Sequence, residues 1–103
     1  MLKGHLDGML LATLEQGPLH GYAMGQELHR RSGATIDLPT GTIYPALHRL
    51  ERQGLVTGRW EQDGARRRRV YTLTRSGRRA LSLERGQWEQ FSAVVAAVLA
   101  PTA

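Results

Sequence analysis

The sequence predicts a mainly α protein with one small β-hairpin and a long C-terminal helix. Three observations carry that expectation. Apolar residues recur at helical spacing from Leu6 to Leu14, Gly21 to Arg31, within Thr40 to Val56 and from Arg75 to Leu99. Two short runs rich in β-favouring residues flank Asp63-Gly64, a turn signal. The final stretch repeats apolar residues at three- and four-residue intervals. A chain of 103 residues, 41% hydrophobic and 22% charged, has the size of one core and the composition of an ordinary soluble domain, which excludes both a multidomain enzyme and a disordered chain.

The first helix places Leu6, Met9, Leu10, Thr13 and Leu14 on one face and stops at Gly17-Pro18. The second has a weaker stripe built on Leu28 and closes at Ser32-Gly33. In the third, Ile43, Leu47 and Leu50 share a face that should point at the core, while Thr42, Tyr44, Pro45, His48, Arg49 and Arg52 occupy the other. Pro45 costs least near a helix start, which favours Thr42 as N-cap or a distorted first turn; Gln53-Gly54 supplies the stop. Leu55 to Gln62 and Arg67 to Thr74 form the expected strands. The last helix begins after Thr74 as N-cap and ends before Pro101, with Leu81, Trp88, Phe91, Val95 and Val98 in a heptad-like stripe. At about 1.5 Å per residue it is roughly 37 Å long, more than a small domain covers, so its stripe calls for a second chain. Gly86 within it suggests a close approach or a bend.

The net charge of +5 is concentrated. Residues 59–79 hold eight arginines against Glu61 and Asp63, a local +6, whereas the flanking segments sum to zero and −1. Such a patch is the footprint of a polyanion, nucleic acid first and an anionic membrane surface second; a solvated loop is the plain alternative. Cysteine is absent, which fits a reducing compartment and removes thiol chemistry and cysteine-held zinc. His5, Asp7 and Glu15 interrupt the apolar residues of the N-terminal stretch, so neither a signal peptide nor a membrane span is expected, and the protein reads as cytoplasmic. His5, His20, His29 and His48 show no paired metal spacing, and no phosphate loop, nucleophile elbow or converging carboxylates occur. No cofactor, metal or enzymatic activity is expected.

Helix, helix, helix, hairpin, long helix is the order of a winged helix-turn-helix with a C-terminal dimerisation helix, here residues 1–74 and 75–100. In that architecture the third helix enters the DNA major groove and the wing grips the backbone or an adjacent minor groove. The residues also resemble the PadR-type bacterial transcriptional regulators, in the short subfamily with a single C-terminal helix. The matching pieces are His20-Gly21-Tyr22, the run Gly41 to Leu47 with Leu50-Glu51 and Gly54-Leu55-Val56, and Arg67 to Thr74 followed by Gly77. The resemblance covers roughly Leu6 to Leu99. The resemblance implies a homodimeric DNA-binding regulator, most often a repressor, released by a small-molecule signal.

Candidate DNA contacts are Thr40, Thr42, Tyr44, Pro45, His48 and Arg49 on the third helix, His20 and Tyr22 at the start of the second, and Arg66, Arg67, Arg68 and Arg69 on the wing. Tyr44 reads either as a phosphate or base-edge contact or as an aromatic covering the helix N-terminus. Thr40, Thr42 and His48 read as contacts or as caps and plain surface. Alternation along a strand lets two of the four arginines reach DNA while the others face solvent or the partner helix. Leu81, Trp88, Phe91, Val95 and Val98 form the expected dimer seam, and Trp88 with Phe91 could border a pocket for a flat aromatic effector. The partner expected is a roughly palindromic duplex. Two rivals stand beside this reading: a non-specific basic nucleic-acid-binding protein of the nucleoid type, and an adaptor whose apolar helix binds a different chain.

Overall fold

The structure, a computed structural model, describes residues 4–102. The first three positions of the expected 1–74 unit lie outside the described residues. Seven elements follow one another among these residues: α1 (Leu6–Thr13), β1 (Leu19–His20), α2 (Gly21–Arg31), α3 (Thr40–Arg52), β2 (Val56–Asp63), β3 (Arg66–Leu73) and α4 (Arg75–Leu99). The fold is the mainly helical one expected, but the hairpin belongs to a three-stranded antiparallel sheet of order β1-β3-β2. The short β1 adds to the free edge of β3, pairing Leu19 with Tyr71 and His20 with Val70.

The faces that periodicity marks on α2 and α3 are buried, that of α1 is buried in part and shared with Leu11, and that of α4 is buried only at Leu81. Leu10, Leu11 and Leu14 of the α1 segment, Met24 and Leu28 of α2, and Ile43, Ala46, Leu47 and Leu50 of α3 meet Val56, Tyr71 and Leu73 of the sheet and Leu81 of α4 in one core. Gly21 and Gly25, one turn apart on α2, let α3 seat closely. A Cβ at either position would stand 2.8 Å from Tyr44 Cε1 or Ile43 Cδ1 respectively.

The start of α3 differs from expectation. The helix begins at Thr40 with Pro39 as N-cap, so Pro45 lies well inside it. The Pro39 carbonyl accepts from both Thr42 N–H at 2.9 Å and Ile43 N–H at 3.2 Å, a tightened first turn. Pro45 cannot donate to the Gly41 carbonyl, but Gly41 is exposed, so water can take the vacant acceptor and lower the cost of the proline.

The exit of α3 is tied to the entry of α4. Leu55 N–H donates to the Leu50 carbonyl and Gly54 N–H to that of Glu51, both at 3.0 Å, with Gly54 at φ +75, which is a Schellman stop. Thr74 Oγ1 donates to the Gly54 carbonyl at 2.6 Å and accepts from Gly77 N–H at 2.9 Å, capping α4 as expected. Gly77 passes so close to this loop that an added Cβ would overlap the Leu55 carbonyl oxygen.

The strands begin and end one residue from where the sequence places them, and the hairpin turns at Gly64-Ala65 rather than Asp63-Gly64, with Asp63 paired to Arg66. Gly64 has φ +62 and Ala65 is not among the positive-φ residues, the pattern of a type II′ loop. Past Leu81, α4 runs clear of the core and stretches the molecule to 63 × 28 × 22 Å. Leu81, expected on the seam toward a second chain, is instead 5% exposed in the core of its own chain. Apart from its chain neighbours and the backbone of its own helix, no atom of the described residues lies within 4 Å of where a Gly86 Cβ would stand, so no other element approaches it closely within this chain.

Candidate nucleic-acid interface

Thr40, Thr42, Tyr44, Pro45 and His48 all lie on the exposed side of α3. Packing of Ile43, Ala46, Leu47 and Leu50 fixes the helix and therefore aims this row outward. One edge of the Tyr44 ring covers Gly21 at the start of α2, and the residue remains 36% exposed. Tyr22 projects beside it from α2 and is 54% exposed.

His20 is a cap. Its Nδ1 accepts from Ala23 N–H at 3.2 Å, satisfying a donor in the first turn of α2, and its ring lies nearly parallel to that of Tyr22 with centroids 6.4 Å apart. Burial, reinforced by the positive Arg68 nearby and opposed by Asp63, holds its pKa below the ordinary imidazole value. Arg49 departs from the expected set of contacts. It turns toward α1, where Nε donates to Asp7 Oδ2 at 3.3 Å and Nη2 to Oδ1, and the carboxylate raises its pKa.

The wing sorts its arginines by strand alternation. Tyr71, Arg69 and Arg67 share the inner face of β3 with Gly58, Trp60 and Gln62 of β2, while Arg66 and Arg68 lie on the outer face. Two of the four are held by carboxylates: Arg68 Nε by Asp63 at 3.0 Å and Arg69 Nη2 by Glu51 of α3 at 2.8 Å. Arg69 thus faces its own α3 rather than solvent or a partner helix. Arg66 and Arg67 form no ion pair among the described residues, and Arg67 lies over the Trp60 ring at 5.1 Å. The uncompensated charge of the run Arg66 to Arg69 therefore sits at the tip of the wing. Burial pushes the Tyr71 phenol up, with Glu51 acting in the same direction and Arg69 against it.

Sequence reasoning missed Trp60, which is 56% exposed between two guanidinium groups. Hairpin register was the available signal, since a two-residue loop at Gly64-Ala65 sets Trp60 opposite Arg69. The ion pair of Asp7 with Arg49 had no local signal.

A second feature involves none of the wing residues. A cavity of about 760 Å³ opens between α1, the Thr35–Leu38 connector and α4, with Met9, Ala12, Ile36, Leu38 and Leu81 as apolar walls and Trp88 at its rim. His5 packs edge-on against Trp88 at 5.1 Å between ring centroids, and Phe91 follows at 6.2 Å. Of the expected seam, Trp88, Phe91 and Val98 are 47%, 60% and 77% exposed and Val95 is half-buried. No group of side chains suited to a metal ion occurs among the described residues, and none of their helices is long and apolar enough to cross a membrane.

Comparison with known proteins agrees with this geometry. The model of the transcriptional regulator PadR-like family matches residues 10–83. Transcriptional regulator Rv3488 of Mycobacterium tuberculosis is 39% identical over 74 residues, covering 72% of this chain and 66% of that protein, just under two thirds of its length. The crystal structure of a PadR family transcriptional regulator from Eggerthella lenta superposes with a TM-score of 0.84 at 31% identity, over 97% of this chain and 86% of that one. Bacillus subtilis PadR, solved in complex with operator DNA, matches with a TM-score of 0.68 at 31% identity, over 75% of this chain and 44% of that chain. The family model covers well over half of the sequence, its relatives are transcriptional regulators rather than enzymes, and this chain belongs to the PadR-like family of transcriptional regulators.

Proposed function

We propose that the chain is a cytoplasmic, homodimeric, sequence-specific DNA-binding repressor that a small aromatic effector releases from its operator. The observation that carries DNA binding is the alignment of the outward row of α3, Thr40 to His48, with a wing whose only unpaired arginines among the described residues, Arg66 and Arg67, stand at its tip. The row suits base edges and phosphates of a major groove, and the tip suits the flanking backbone. The operator complex of Bacillus subtilis PadR supports the same use of this fold.

Residues 1–74 act as the DNA-binding unit and 75–100 as the dimerisation helix, which Leu81 anchors in the core. Dimerisation is supported by the uncovered apolar residues of α4, Trp88, Phe91, Val94, Val98 and Leu99, which its own chain leaves exposed. A second copy on this face would place two α3 helices about 34 Å apart on a roughly palindromic site. The cavity beside Trp88 is the effector site, and occupation there changes the separation of the two readers by differential binding to the two arrangements.

The test is a fluorescence-anisotropy titration of a duplex selected by the chain from a random pool against a scrambled duplex, at low and near-physiological salt. Retention of the selected duplex alone at the higher salt supports the regulator. Equal loss of both would replace it with non-specific binding. A monomer in sedimentation would refute the dimer.

A further inference from the structure

One arginine of the wing runs back to the helix that precedes it. Arg69 leaves β3 on the inner face, crosses β2 over Gly58 and meets Glu51 in the last turn of α3, Nη2 donating to Oε2 at 2.8 Å. The same oxygen accepts from Gly58 N–H at 3.3 Å, so one carboxylate holds both strands of the hairpin. A Cβ on Gly58 would stand 2.8 Å from Arg69 Nε and 3.0 Å from its Cζ. The missing side chain is therefore what lets the guanidinium lie across the strand. On its other side Arg69 Cζ is 5.6 Å from the centroid of the Trp60 ring, which also carries Arg67. Contacts thus run unbroken from Glu51 through Arg69 and Trp60 to Arg67 near the tip. The side chains of the Arg69–Glu51 pair are 27% and 30% exposed, against 73% and 43% for Arg59–Glu61, so solvent screens it less.

We propose that Glu51 is a positioning residue for DNA recognition. It fixes the angle between the wing and α3 and withholds Arg69 from the phosphate backbone, leaving the grip to Arg66 and Arg67. The proposal rests on α3 and the wing forming one DNA-binding surface.

Glu51→Gln keeps an acceptor for Gly58 N–H and removes the charge that holds Arg69. Affinity for the duplex selected by the wild-type chain should fall about tenfold, the scale of one charged hydrogen bond. Binding to the scrambled duplex should hold or rise, with a salt slope steeper by about one phosphate contact as Arg69 is freed. Gly58→Ala leaves both partners in place and displaces the guanidinium, so it should lower selectivity in the same direction. NMR relaxation of the Trp60 indole N–H, in the absence of DNA, should show faster local motion in both variants.

An unchanged ratio of selected to scrambled binding in Glu51→Gln overturns the proposal, and so does an equal gain for both duplexes, which would make Arg69 a phosphate ligand that Glu51 merely competes for. Should the wild-type chain enrich no duplex, the proposed function fails instead. In that case unchanged Trp60 relaxation in Glu51→Gln overturns the inference by itself.

Discussion

Removing Arg66 and Arg67 together should flatten the salt dependence of DNA binding, because these two lack a carboxylate partner among the described residues while Arg68 and Arg69 have one. Each phosphate contact by a cation contributes about −0.9 to the slope of log affinity against log salt. Across a fourfold rise, from about 50 to about 200 mM, one contact therefore accounts for about a 3.5-fold loss of affinity and two for about 12-fold. Arg66→Ala/Arg67→Ala should lose affinity mainly at the low-salt end, and its titrations at the two salts should lie about 12-fold closer together than those of the wild type.

The control is Asp63→Ala/Arg68→Ala, which deletes an ion pair at 3.0 Å and leaves the net charge unchanged. It should keep the wild-type slope, because an arginine already neutralised by its neighbour displaces little from the counterion atmosphere. Anisotropy titrations with a scrambled duplex suffice, since the effect is independent of sequence. Equal slope changes in the two double variants would refute the distinction between paired and tip arginines, and with it the placement of the grip at the tip.

Gly77→Ala should destabilise the fold by about 1–3 kcal/mol, since its methyl group would overlap the Leu55 carbonyl oxygen where α3 ends and α4 begins; a thermal melt at wild-type stability would contradict the close approach. Leu81→Ala should cost about 2–5 kcal/mol of unfolding free energy in a denaturant titration, as expected for a side chain buried in its own chain. Phe91→Ser with Val98→Ser should leave secondary structure intact and shift sedimentation toward the monomer; loss of the fold would mean that these residues pack within the chain. His20 has a lowered pKa in the folded protein, so the unfolded chain binds the proton more readily, and stability should fall as pH drops below the ordinary imidazole value of about 6.5. In His20→Asn, which retains a capping oxygen, circular-dichroism melts between about pH 8 and 5.5 should lose that part of the pH dependence; an unaltered profile would exclude His20 as its source.

What the sequence disclosed and what it hid divide along physical lines. Periodicity marks faces, so the buried sides of α2 and α3 could be read from Met24, Leu28, Ile43, Leu47 and Leu50. It does not say which chain covers a face. Leu81 and Trp88 are spaced as one stripe, yet the first is sealed by its own core and the second is half open. Local rules are likewise blind to relief supplied by surroundings. Pro45 favours a late helix start, but Gly41, whose carbonyl it leaves vacant, is an exposed residue, and burial of Ile43 and Leu47 outweighs the lost bond.

Long-range partners decided the roles of the charged residues. Arg49 resembles a DNA contact until Asp7, on a different helix, engages it, and Arg69 resembles a wing cation until Glu51 does. A short strand such as β1 carries too few residues for any period, and its two backbone pairs exist only because β3 presents a free edge. The arginine run therefore fixes where a polyanion should come, whereas the carboxylates brought to it by the fold select the cations left to meet it. That selection leaves Arg66 and Arg67 unpaired and turns Arg69 inward, so on the proposed reading the grip and the aim of the wing should respond to separate substitutions.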